Sequence, residues 1–456
     1  MIAVFCYYQV VILQFSVSNY RCFRTLQTLN LAASNQDKSL PECCFTADAP
    51  GLAGKRWVKG LALYGANASG KTTVLQALKT LARMVRNSAR TVDPQDPIAD
   101  IDPFDLGKSK SGEPTAFSVD FVTENVRYEY RVAATRQRIW HESLRAFPKK
   151  LEQLWFSRDW NSETETYDWK PDRPSGFHRD SQLESYTLSN VLFLSKAVAS
   201  NRSELGPVFR WFKEKLKFQD LSIRRQLNPF RTTLRMIQQA SQEREQIIAM
   251  LRHADLGVAD AQVIDDRPPQ EELERIFVDV PNEARERFIK ERWLKPQLLH
   301  RGPAGVKTSL PWESESAGTH RFFELAGPWL DFLARGNTVC IDELETSMHP
   351  LMVRELLRLF FSDRTNLLGA QILFTTHSPL LLDPTLLRRD QVWFTDKDEE
   401  GESHLYPLTD YGPRKGESLV RGYLAGRYGA VPFVPSGLLG NSPQLFSIEE
   451  KDENGG

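Results

Sequence analysis

Gly65, Ala66, Asn67, Ala68, Ser69, Gly70, Lys71, Thr72 and Thr73 carry the pattern G-x-x-x-x-G-K-S/T without interruption. Gly65 and Gly70 let a backbone wrap closely around an anion, and the loop amides with the helix N-terminus behind them supply positive potential. Lys71 is the cation that reaches the β- and γ-phosphates of a nucleotide, and the Thr72 hydroxyl is a ligand for Mg²⁺. The chemistry on offer is the binding of ATP with a magnesium ion. A second segment supplies the other half of such a site. Asn337-Thr-Val-Cys-Ile341 is an apolar run that ends in Asp342 and Glu343. In phosphate-loop enzymes this ending puts the aspartate beside the Mg²⁺ hydration shell and the glutamate where an attacking water stands. Apolar runs followed by Asp-Glu are common by themselves. Behind a complete phosphate loop the pair gains meaning.

These residues need elements to hold them. Leu61-Ala-Leu-Tyr64 reads as a buried strand and the run from Val74 as a helix, which gives the strand, loop, helix order that the pattern requires. Leu13 to Phe23 alternates like a strand, with Thr28 to Ala33 as a hairpin partner. Thr115 to Val122 and Val126 to Val132 alternate around Thr123-Glu-Asn125 as a hairpin, and Leu154-Trp-Phe and Thr166-Tyr-Asp-Trp extend that sheet. From Ser203 the texture turns to charged helical segments without a sustained heptad, so a short helical arm is expected rather than a coiled coil. The expected organisation is an N-terminal extension (1–12), a first lobe with the phosphate loop and a β-rich subdomain (13–200), a helical arm (201–300), a second lobe (301–433) and a disordered tail (434–456).

The bulk composition narrows the partners. Lys plus Arg total 58 against 59 for Asp plus Glu, so any nucleic-acid surface has to be a local patch. Candidate patches are Arg131 to Lys150 with Trp140 and Phe147 interleaved, Arg224 to Arg231, and Arg285 to Trp293. Solvated helix and hairpin faces are the plainer account of all three. The five cysteines have no metal-ligand spacing, and their odd number with the adjacent Cys43-Cys44 pair argues for a reducing cytoplasm. The apolar N-terminal run Ile2 to Leu13 has no basic n-region and is too short to span a bilayer, so it reads as a leading strand or a stretch upstream of the real start, and no membrane partner is expected.

Glu315-Ser316-Ala317-Gly318-Thr319 precedes a helix, and Leu373-Phe-Thr-Thr-His377-Ser-Pro ends another apolar run. With these in view, the chain resembles the ATP-binding-cassette ATPases, in the soluble branch that contains SMC, RecF and the overcoming-lysogenization-defect proteins. The resemblance implies an α/β phosphate-loop NTPase fold with a β-rich lobe and an inserted helical arm. It implies that Ser316 and Gly318 form the signature that closes over the γ-phosphate held by a second subunit. It further implies that Ser347 and His349, with Met348 and Pro350, form the D-loop, and that His377 is the switch histidine. Ser316-Ala-Gly-Thr also reads as a plain helix N-cap turn, and His377 as an ordinary strand-end histidine. No glutamine-loop residue can be placed, Asp102-Pro-Phe-Asp105 being a candidate region. Leu344-Glu-Thr departs from the polar approach usual in a D-loop.

Closer still, Phe15 to Phe23, the phosphate loop, Glu315 to Leu325 and Gly422-Tyr-Leu-Ala-Gly-Arg-Tyr-Gly-Ala-Val-Pro resemble a subgroup of bacterial AAA-family ATPases linked to abortive infection and phage defence. That resemblance implies a homo-oligomer sandwiching ATP, with Lys71, Glu343 and His377 acting on the γ-phosphate and Thr72 and Asp342 on Mg²⁺. It also implies an antiviral output through a separate effector, a nuclease or toxin, because no Toprim-type nuclease follows His377. The acidic run Asp396-Lys-Asp398-Glu-Glu-Gly reads as a solvated turn. A RecF-like DNA-repair clamp and an ATP-dependent scaffold remain as alternative readings.

Overall fold

The computed structural model describes residues 10–105, 112–171, 176–178, 180–219, 230–239, 241–254, 257–276, 293–302, 305–413 and 416–431. In chain order the first strands are β1 (Val11–Ser18), β2 (Gln27–Asn30), β3 (Cys44–Thr46), β4 (Arg56–Val58) and β5 (Gly60–Gly65). Next come β6 (Thr115–Thr123), β7 (Val126–Ala134), β8 (Ile139–Phe147), β9 (Gln153–Asn161), β10 (Thr166–Lys170) and β11 (Leu216–Gln219). Then follow β12 (Val258–Asp265), β13 (Leu294–Arg301), β14 (Lys307–Ser309), β15 (Thr338–Ile341), β16 (Gln371–Thr375), β17 (Val392–Lys397) and β18 (Ser403–Pro407).

The sheet that matters most has the order β11-β15-β16-β5-β17-β18. Its first five strands are parallel, and β18 runs antiparallel at one edge. Every residue of β5, β15 and β16 is buried, as strands covered on both faces require. Because β15, β16 and β5 are parallel neighbours, the loops that leave them emerge side by side at one end of the sheet. That end receives the phosphate loop, the Asp342-Glu343 turn and the segment reaching His377.

The second large sheet is antiparallel, with the order β10-β9-β8-β7-β6-β1-β2. The hairpin of β6 and β7 turns through Glu124 and Asn125, both with positive φ (50° and 58°), as a two-residue turn between right-twisted strands prefers. Gln371, fully buried on β16, joins the two sheets. Its Oε1 accepts from the Ile12 backbone N–H (2.8 Å), and its Nε2 donates to the carbonyls of Ile12 (3.3 Å) and Val58 (3.0 Å). Val11 and Ile12 therefore belong to a strand of the fold, and the expected extension 1–12 has to give them up. Residues 1–9 lie outside the described residues, as does the expected disordered tail 434–456.

A buried ion pair fixes the outer part of the antiparallel sheet. Glu142 on β8 and Arg158 on β9 are both wholly enclosed, 2.8 Å apart. Glu142 also accepts from the Phe193 and Leu194 N–H groups (2.7 and 2.9 Å) and the Tyr130 hydroxyl (2.9 Å), so it caps the helix Phe193–Ala199. Each carboxylate oxygen thus has partners, the condition under which a buried charge is tolerated.

The segment 201–300 differs from the helical arm expected. It holds the helices Arg231–Gln238 and Gln242–His253, but also β11 and most of a three-stranded antiparallel sheet of order β12-β13-β14. The physical reason is pairing at a distance. Leu216 to Gln219 is helix-neutral in isolation, and becomes a strand because it aligns with Thr338 to Ile341 at the open edge of the parallel sheet. Helix Arg231–Gln238 packs on the helix Ala317–Arg335, where the Thr233 hydroxyl donates to the Phe323 carbonyl (2.8 Å) and accepts from the Gly327 N–H (3.0 Å). Among the described residues no helix is long and apolar enough to cross a membrane.

Candidate functional site

The loop from Ala66 to Gly70 leaves β5 and feeds the helix Lys71–Asn87. Ala68 (φ 61°) and Gly70 (φ 111°) take left-handed conformations, which lets successive N–H groups turn toward the loop interior. Gly65 is required by contact: a Cβ there would lie 2.4 Å from Ser69 Oγ and 2.5 Å from the Thr395 carbonyl on β17. Ser69 and Thr395 share a hydroxyl hydrogen bond of 2.6 Å, so the loop is pinned to the neighbouring strand. Asn67 and Ala68 are exposed at its crest, and Thr73 is half-buried in the first helical turn.

Lys71 is buried, and its ammonium donates to the carbonyls of Gly65 (2.9 Å) and Ala66 (2.8 Å). Burial draws its pKa below the ordinary lysine value, opposed by the carboxylates of Asp342, Glu343 and Glu345. A cation faced by three carboxylates from another strand's loop marks where the two halves of the site meet. The Thr72 hydroxyl makes the junction direct, lying 3.0 Å from each carboxylate oxygen of Asp342.

Thr375, at the end of β16, extends this network. Its hydroxyl donates to Asp342 Oδ1 (2.7 Å) and accepts from the Glu343 N–H (2.7 Å). Sequence reasoning passed over Thr375; its place beside His377 at a strand end was the available signal. Glu343 is exposed and has φ 48°, a left-handed conformation that costs a branched-free but non-glycine residue free energy. The Thr346 hydroxyl donates to its Oε2 at 3.3 Å. His377 is exposed, and its backbone N–H donates to Glu345 Oε1 (2.5 Å). Lys71, Thr72, Asp342, Glu343 and His377 thus share the end of one sheet.

The signature and D-loop candidates form a second group. Ser316 is the N-cap of the helix Ala317–Arg335, its Oγ accepting from the Thr319 N–H at 3.0 Å. The plain N-cap account therefore describes its geometry, and Ser316 and Ala317 leave an exposed helix N-terminus, an anion-attracting end. Gly318 abuts the D-loop candidate: a Cβ on it would lie 3.2 Å from the Ser347 carbonyl. Ser347 has φ 63°, and exposed His349 caps the helix Pro350–Phe361 through Nδ1, which accepts from the Leu351 N–H at 3.3 Å.

A glutamine stands where none could be placed from the sequence. Gln219 ends β11 in register with Ile341, the residue before Asp342. It lines a cavity of about 170 Å³ together with Thr72, Gln76, Lys79, Cys340 and Asp342. In the Asp102 region, Asp102 pairs with Arg21 (3.2 Å) and Arg136 (2.9 Å). Gln219 was hidden because β11 forms only through pairing with β15.

The basic hairpin offers less than its composition suggests. Arg131 pairs with Glu129, Arg136 with Asp102 and Arg145 with Glu152 (3.0 Å), while Arg138 lies over the Trp160 ring (4.1 Å). Arg224 to Pro229 and Arg285 to Arg292 lie outside the described residues. The acidic run forms the turn between β17 and β18, where Asp398 accepts from the Glu402 N–H (2.9 Å) and His404 (2.8 Å).

Similar solved structures include the SMC head domain from Thermotoga maritima, 9% identical, covering 87% of this chain and 98% of that one with a TM-score of 0.37. An SMC head bound to the C-winged helix domain of ScpA is 10% identical, with 86% and 96% covered and a TM-score of 0.36. The recombination mediator protein RecF with ATP is 11% identical, with 88% and 99% covered and a TM-score of 0.32. No curated protein matches the chain in sequence. The family profile described as "AAA domain, putative AbiEii toxin, Type IV TA system" matches residues 61–383, which is more than half the chain, and the protein belongs to that family.

Proposed function

We propose that the protein is a Mg²⁺-dependent ATPase that dimerises head-to-tail around ATP and regulates a separate effector, a nuclease or toxin, in antiviral defence. The observation that carries this reading is the convergence of Lys71, Thr72, Asp342, Glu343 and His377 at the end of three adjacent parallel strands. The Thr72 hydroxyl and the Asp342 carboxylate are hard oxygen donors at the mouth of the loop, and fit a magnesium ion. When bound with nucleotide, that ion neutralises charge on the phosphates. Lys71 and the loop amides bind and orient the triphosphate, Glu343 positions water, and His377 faces the γ-phosphate. Gln219 joins them as a polar group beside the magnesium ligands.

Ser316 and Gly318 support head-to-tail pairing. Their helix N-terminus lies against the D-loop candidate with Ser316 and Ala317 exposed, so it suits the triphosphate of a second copy. The antiviral output rests on the family and on the subgroup resemblance. A cytoplasmic setting agrees with Cys22, Cys43, Cys44 and Cys340 being free thiols. The test has two parts. Purified protein should hydrolyse ATP only with Mg²⁺ and should double in mass by light scattering with a non-hydrolysable ATP analogue. In cells, phage protection should need both this gene and its neighbour; protection by this gene alone would overturn the separate-effector part.

A further inference from the structure

Glu345 lies two residues beyond Glu343 in the turn that leaves β15, and the phosphate-loop pattern does not call for it. Its Oε1 accepts the His377 backbone N–H at 2.5 Å, although 32 residues separate them. Two more bonds run between the same segments: the Glu343 N–H donates to Thr375 Oγ1 (2.7 Å) and the Leu344 N–H to the Thr375 carbonyl (3.1 Å). Glu345 is the member of this set that reaches His377 itself. A hydrogen bond to a carboxylate is charge-assisted, and stronger than a neutral one.

The carboxylate is also directed inward. Its Oε2 is buried without a hydrogen-bond partner. A glutamate in a surface turn would normally rotate that oxygen to water, since an unsatisfied buried acceptor is costly. Glu345 also lies within electrostatic reach of Lys71, as Asp342 and Glu343 do. Two residues further on, Ser347 presents the carbonyl that Gly318 packs against. One short turn therefore touches the switch segment at one end and the signature segment at the other.

We propose that Glu345 is a positioning residue whose carboxylate fixes the backbone of His377 and ties its placement to the Glu343–Ser347 turn. This rests on the ATPase reading above, in which His377 must be aimed at a triphosphate. The charge strengthens this hydrogen bond, but the bond itself is what the task requires, and Gln at the same place keeps an oxygen that can accept from the His377 N–H.

The full-length protein, Glu345→Ala and Glu345→Gln are compared by amide exchange in the peptide containing His377, by labelled-ATP binding and by turnover. In Glu345→Ala, exchange at His377 should quicken by about tenfold and kcat should fall by about tenfold, as for one lost charge-assisted hydrogen bond. ATP affinity should stay within about twofold, and Glu345→Gln should keep exchange and kcat within about threefold of wild type. Wild-type exchange and kcat in Glu345→Ala would overturn the inference. So would loss of ATP binding in that variant, which would mean that Glu345 supports the fold of the site, or an equal fall in Glu345→Gln, which would assign the effect to charge. If the wild type itself fails to hydrolyse ATP, the ATPase reading fails, while the exchange measurement still decides the contact.

Discussion

The Thr72 hydroxyl lies 3.0 Å from both carboxylate oxygens of Asp342, across 270 residues of chain. One residue lies in the first turn of the helix behind the phosphate loop and the other follows β15, so their meeting depends on the parallel alignment of β15, β16 and β5. The consequences are open to measurement.

Lys71→Ala should weaken labelled-ATP binding by about 100-fold, since a charge-assisted contact contributes about 3 kcal/mol and each 1.4 kcal/mol is roughly tenfold. The buried ammonium donates to the loop carbonyls of Gly65 and Ala66. Wild-type affinity in this variant would remove the nucleotide site from this loop.

Glu343→Gln should bind ATP like the wild type yet turn over about 100- to 10,000-fold more slowly, the range for loss of a general base. The amide keeps the shape of the turn, including the bond from Glu343 N–H to Thr375. An unchanged kcat would mean that another group activates water.

Ser316→Arg should leave ATP binding by one copy intact while blocking ATP-dependent dimerisation and turnover, because the new side chain occupies the helix N-terminus. Mixing it with Lys71→Ala tests the trans arrangement. In the mixed dimer one composite site carries both changes and the other carries neither. Partial recovery of turnover is expected; none at any mixing ratio would count against head-to-tail pairing.

Glu142→Gln should cost about 3 kcal/mol or more in urea unfolding, because Arg158 keeps its charge in a fully enclosed place. Replacing both, as Glu142→Leu with Arg158→Met, should restore part of that loss. A cost below about 1 kcal/mol for Glu142→Gln would show that water reaches the guanidinium.

The sequence by itself determined the loop chemistry and the local elements. Gly65 to Thr73 is contiguous, and the alternation around Thr123-Glu-Asn125 gives the β6–β7 hairpin, because contacts within a few residues are written in adjacent letters. Tertiary structure decided what depends on pairing at a distance. It made Leu216 to Gln219 a strand and thereby placed Gln219 beside Asp342, and it took Val11 and Ile12 into β1 through Gln371. It paired Arg136 with Asp102, 34 residues away, which no linear spacing announces. It also set Thr375 and Glu345 between the two halves of the site. A hydrogen bond across 32 residues has no periodicity to betray it, and only the closure of one parallel sheet brings its donor and acceptor together.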